Sequence, residues 1–208
     1  MTGLTFILKG FIIGIIVSIP IGPIMLLTVQ KAVNNGRKPA FACGLGATVV
    51  DTTCAIISAF ALSAISSFIE THTSLIEIIG GLFIAGVGVT MLFVKLEERL
   101  ESRATSWSTK NLVKAATMGF CNPAALAVML AMFATFKMDM SGMCIIVPIL
   151  AILALSAGSA GYWYLVASVV AHYGKRFNMR ILLIINRIAG IGVILFGLWL
   201  ILKGLNLL

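Results

Sequence analysis

Apolar residues do not alternate with polar ones at strand or surface-helix spacing along this chain. They run nearly unbroken near 5–30, 41–67, 76–94, 115–136, 143–171 and 181–202, and each run stops at a polar joint, at 31–39, 69–74, 95–114, 137–142 and 172–180. About 20 apolar residues in helical conformation cross a hydrocarbon core about 30 Å thick, so the pattern predicts six transmembrane helices. The third joint alone has any length, and its mixed charges from Lys95 to Lys110 predict a helical extension into water followed by a surface loop. The first apolar run is followed by no small-residue cleavage site and by five more runs, so it is expected to be a retained helix.

Composition agrees. Hydrophobic residues make up 60% of the 208 positions and charged ones 11%, at a mean hydropathy of +1.10. An ordinary soluble domain has about a quarter of its residues charged, so the chain reads as an integral membrane protein with one membrane domain, 1–208. The formal charge of +8 does not indicate a nucleic-acid partner, because Lys and Arg are spread over short joints and do not cluster with aromatics on a polar face. They indicate orientation instead. Lys31, Arg37, Lys38, Lys95, Arg99, Arg103, Lys110, Lys114, Lys175, Arg176 and Arg180 fall in the first, third and fifth joints, leaving only Lys9, Lys137 and Lys203 opposite and Arg187 within the last span. Basic residues in short loops stay in the cytoplasm, so both termini are expected outside. Cys43, Cys54, Cys121 and Cys144 lie in or beside apolar runs without metal-ligand spacing; they read as inert thiols, and neither a metal nor a cofactor is implied.

Two spans carry helix interruptions. In the first, Ser18-Ile19-Pro20-Ile21-Gly22-Pro23 removes two backbone donors around a glycine. In the fourth, Cys121-Asn122-Pro123 combines a favoured N-cap with a favoured first helical residue. Broken backbone at membrane depth must be buried in protein or line a cavity. Half-helices beginning at Pro23 and Pro123 would aim their partly positive N-termini inward, where an anionic group can be held. Spans one and four match if 1–95 and 115–208 are two three-helix repeats joined by a cytoplasmic segment, 96–114. Gly81 and Gly88 in span three recur as Gly190 and Gly197 in span six at the same spacing. An odd number of spans per repeat inverts the second, which is the plan of many secondary transporters.

Asp51 is the one acidic residue in the second run. It lies roughly 18 Å along the helix from Pro39, near mid-membrane. A carboxylate there is costly by roughly 3 kcal/mol on insertion scales and marks a site by default. Tyr162, Trp163 and Tyr164 in span five read as packing or an interfacial belt.

In their order and spacing, Pro20-Ile21-Gly22-Pro23, Gly36-Arg37, Gly44, Gly46, Asp51, Asn122-Pro123, Asn186-Arg187-Ile188-Ala189-Gly190 and Gly197 resemble the lysine exporter (LysE/RhtB) family, over most of the chain. That family usually has contiguous Pro-Gly-Pro and a Lys after Asn-Pro, where this chain has Ile21 after Pro20, and Ala124. The resemblance implies a six-helix carrier in the bacterial inner membrane, not an enzyme, that exports amino acids or close analogues, is driven by protons and forms a homodimer. With an amino acid as substrate, Asp51 suits the ammonium or the coupling proton. The half-helix starts at Pro23 and Asn122 suit the carboxylate, with Pro20, Gly22 and Pro123 shaping them. Arg187, about 10 Å beyond Arg180 along the helix, either snorkels to the interface or reaches inward. Two alternatives use the same scaffold. A divalent-metal exporter would want several carboxylates or histidines within the spans, and a thiol-disulfide relay would want a cysteine beside Pro20 or Pro23 to pair with Cys121.

Overall fold

A computed structural model describes residues 3–19, 23–64, 73–93, 109–140, 142–173 and 179–205, and all the regular structure among them is helical. The helices in chain order are α1 (Gly3–Ser18), α2 (Pro23–Asn35), α3 (Arg37–Ala64), α4 (Thr73–Leu92), α5 (Thr109–Phe120), α6 (Pro123–Thr135), α7 (Ile146–Tyr173) and α8 (Met179–Gly204). Both interruptions fall where proline places them. α1 stops at Ser18 and α2 starts at Pro23, while α5 and α6 are bent 71° apart around Cys121-Asn122. Pro20, Ile21 and Gly22 lie outside the described residues. Between α2 and α3 the chain reverses on Gly36 alone, whose φ of +86° closes α2 in the left-handed conformation that glycine adopts freely.

Among the described residues, α3 from Arg37 to Leu62 and all of α7 are long and apolar enough to cross a membrane singly, and α5 with α6 qualifies as one broken span. α1 and the apolar stretches Glu77–Leu92 and Gly190–Gly204 are shorter. Large apolar side chains such as Leu8, Phe60, Leu82, Leu153, Leu165 and Leu195 stand exposed on the outer faces of these helices, as befits a protein whose surroundings are lipid. It is a multi-pass membrane protein.

The helices pack as two kinds of pair. α1 lies along α7 and α5 along α3, while α4 and α8 pack on each other. Small residues let backbones touch, because a lipid solvent supplies little hydrophobic drive and close van der Waals contact must replace it. Gly10 and Gly14 sit on the Ala151 and Leu155 carbonyls, with no room for a Cβ at either. These contacts advance together along both chains, so α1 and α7 run parallel. Gly46 against Leu112 and Ala115, then Gly119 against Val50, make α3 and α5 parallel as well. α4 and α8 are antiparallel: Gly81 faces Gly197 and Gly88 faces Gly190.

Contacts at the helix ends agree with alternating directions. Lys9 donates to the Phe136 carbonyl at 2.7 Å and Lys203 pairs with Glu77 at 2.6 Å. Arg37, which begins α3, stacks on Tyr164 of α7 and donates to its hydroxyl at 3.2 Å.

Candidate functional site

Span two brings Asp51 to the middle of α3, where α1 ends and α7 passes. Asp51 Oδ2 accepts a hydrogen bond from Ser159 Oγ at 2.7 Å and another from Ser18 Oγ at 3.1 Å. The two hydroxyls are 3.0 Å apart, and Thr48 Oγ1, one turn before Asp51, stands 3.2 Å from Ser159 Oγ. One turn toward the other end, Thr52 Oγ1 and Ser156 Oγ are 2.7 Å apart. A polar seam therefore joins the end of α1 to the middles of α3 and α7. Ser18, Thr48 and Ser159 are buried and Asp51 is half-buried.

Close backbone packing creates this seam. Gly14 lies one turn before Ser18 and rests on the Leu155 carbonyl, one turn before Ser159; Gly158 rests on Phe11 in return. Without those glycines, α1 and α7 would stand too far apart for their serines to share one carboxylate oxygen. Small residues bring the helices close, and their hydroxyls bond across the contact.

The helix interruptions come to the same level. Gly119, near the end of α5, lies against Val50, the residue before Asp51, and against Ile24 in the first turn of α2. The start of α2 and the end of α5 thus meet at the level of α3 that carries Asp51. Pro23 is the first residue of α2 and Pro123 of α6. Asn122 occupies the turn, with its amide on the Gly119 carbonyl and its own carbonyl accepting from Ala125, and the residue is exposed. Arg187 is not brought to this level by the main helix contacts: it is exposed on α8, whose principal partner is α4. Tyr162 is half-buried and Trp163 buried, the latter lying over Gly44, while Tyr164 is exposed and stacks on Phe41 edge to face. A shallow cleft of about 590 Å³ opens elsewhere, at the Arg37 end of α3, lined by Ser168, His172 and Tyr173.

Ser18, Thr48, Thr52, Ser156 and Ser159 are site residues that the sequence did not single out. Their signal was there in part: Thr48 and Thr52 share a helical face with Asp51, and Ser156 and Ser159 share one in span five.

All four cysteines are free thiols, Cys43 and Cys54 buried and Cys121 and Cys144 exposed. No cluster of three His, Cys, Asp or Glu suited to a metal occurs among the described residues. A family model, that of the LysE type translocators, matches residues 15–204. No curated protein and no solved structure matches the chain.

Proposed function

From the premise that this chain belongs to the LysE type translocator family, we propose that it is a secondary carrier exporting amino acids or close analogues across the bacterial inner membrane. Asp51 is the group that is loaded and unloaded. It takes the ammonium of the substrate or a coupling proton, and the half-helix starts at Pro23 and Asn122 take the carboxylate. Two inverted three-helix repeats rock against each other around that level, exposing it to one side at a time.

One observation carries the reading. Asp51 Oδ2 is bonded at once to the last residue of a broken half-helix, Ser18, and to a helix of the other half of the chain, Ser159. Loading the carboxylate changes what it can accept, and so changes a bond across the interface between the halves. The packing supports the inverted repeat too: span one lies parallel to span five, span four parallel to span two, and spans three and six cross antiparallel through matched glycines. A two-fold axis in the membrane plane relates each pairing to another or to itself.

Counterflow tests it. Purified protein in proteoliposomes preloaded with single amino acids should take up the labelled form of its substrate without any ion gradient, and Asp51→Asn should abolish that exchange. Failure to exchange any member of a full amino-acid panel would sink the assignment of substrate class.

A further inference from the structure

The oxygens around Asp51 hold more lone pairs than protons. Each hydroxyl has one proton to give and two lone pairs. Ser18 Oγ is 2.9 Å from the Gly14 carbonyl and Thr48 Oγ1 is 3.1 Å from that of Gly44, each one turn back on its own helix. Ser18 has one proton for two acceptors, Asp51 Oδ2 and the Gly14 carbonyl. When it turns back to Gly14, and that of Thr48 to Gly44, the Ser18 oxygen turns a lone pair toward Asp51 and Ser159 and the Thr48 oxygen one toward Ser159. That leaves Ser159 Oγ, 2.7 Å from Oδ2, as the closest donor to the carboxylate.

The surroundings add negative potential. Ser18 closes α1, and the last carbonyls of a helix lack amide partners and carry about half a negative charge between them. A carboxylate beside such an end is like charge beside like. No lysine, arginine or histidine among the described residues lies within ion-pair distance of Asp51. α1 brings Ser18 to it, α7 brings Ser156 and Ser159, and α3 itself places the Cys54 thiol one turn on. α5 brings Gly119, and α6 has no titratable residue. The cations of these helices and of α2, which packs on α3 and α7, are elsewhere: Lys9 donates to the Phe136 carbonyl, Lys31 and Lys114 lie toward Cys43, and Arg37, Lys38, Lys110 and His172 lie toward other ends.

Burial decides the size of what fits. Ser159 is 0% exposed and Ser18 4%, so the Oδ2 side has no room for an amino acid. We propose that this side of Asp51 is a binding site for a small desolvated monovalent cation, sodium, held by Asp51 Oδ2 and the hydroxyl oxygens of Ser18, Thr48 and Ser159 in place of a proton. One carboxylate among neutral hard oxygens matches one positive charge; a divalent ion wants more carboxylates. The other face of the half-buried carboxylate stays with the substrate. The assignment rests on Asp51 being the loading group of a carrier.

Thermal unfolding of the purified full chain in detergent, at constant ionic strength in sodium, potassium or choline chloride, tests it. Sodium should raise the melting temperature saturably over choline, and more so in alkaline than in mildly acidic buffer, because protons compete for the same oxygen. Asp51→Asn should remove the response, and Ser159→Ala should raise the half-saturating sodium concentration about tenfold, the effect of one charge-assisted contact. Equal melting in all three salts overturns the proposal, as does a sodium response that survives Asp51→Asn. If that variant does not fold, an unchanged half-saturation in both Ser159→Ala and Thr48→Val overturns it instead. Counterflow separates this from the carrier reading. Amino-acid exchange without a sodium response discards the cation site and keeps the carrier, whereas a sodium response without exchange of any amino acid keeps the site and discards the substrate class.

Discussion

At Asp51 the deciding feature is the pair of helices that serve one oxygen. Asp51→Glu keeps the charge but lengthens the side chain by a methylene, into a space where Ser159 stands at 2.7 Å and Ser18 at 3.1 Å. Overpacking of this kind costs about 1–3 kcal/mol. Glutamate is therefore expected to retain weak counterflow, where asparagine retains none; equal activity of the two would mean that charge at this position is irrelevant. Asp51 itself was legible because nothing else in its run is charged. Ser18, Thr48 and Ser159 were not, for a physical reason. A serine or threonine in an apolar helix ordinarily bonds the carbonyl one turn back, as Ser18 does with Gly14 and Thr48 with Gly44. Sequence gives no sign that such a hydroxyl also meets a carboxylate on another helix. Arg187 shows the converse: an arginine inside a predicted span is conspicuous, but α8 packs mainly on α4 and carries it on an exposed face.

Among the helices, glycine position separates contact from solvent or lipid. A Cβ on Gly81 would stand 2.6 Å from the Gly197 carbonyl, and one on Gly197 would stand 2.6 Å from the Gly81 carbonyl, whereas Gly80 and Gly192 have nothing within 4 Å. Gly81→Leu and Gly197→Leu are expected to destabilise the α4–α8 pair by about 1–3 kcal/mol or more. Gly80→Leu and Gly192→Leu should leave the melting temperature in detergent within a degree or two, since exposed substitutions usually change stability by less than about 0.5 kcal/mol. If all four variants behave alike, the helices do not cross there. The ion pair between Lys203 and Glu77 closes the same helix pair at one end. With Lys203 39% exposed, it is a minor term of about 1 kcal/mol or less. The break points were readable because proline and asparagine act locally. Helix partners were not, because lipid-facing and protein-facing surfaces are equally apolar, and the long spans α3 and α7 lack the polar stripe that marks an outside in water.

Across the whole molecule, loop charge and contact together predict sidedness. The basic first joint meets the fifth where Arg37 stacks on Tyr164 and shares a cleft with His172. At the other ends, Lys9 reaches the Phe136 carbonyl next to Lys137. The helix directions agree, since a chain that crosses six times has spans one and five parallel, two and four parallel, and three and six antiparallel, which is the pairing seen through the glycines. Positive residues are held in the cytoplasm, so Lys110, exposed at the start of α5, is expected inside, and Lys137, exposed between α6 and α7, is expected outside. In a background with Cys43, Cys54, Cys121 and Cys144 replaced by alanine, Lys137→Cys should react with a membrane-impermeant maleimide in whole cells. Lys110→Cys should react only once the membrane is opened. The reverse pattern would invert the topology. Labelling of both positions from one side would mean that α5 and α6 together do not cross the membrane once, and would overturn the inverted repeat, in which Lys110 and Lys137 flank the broken first span of the second half.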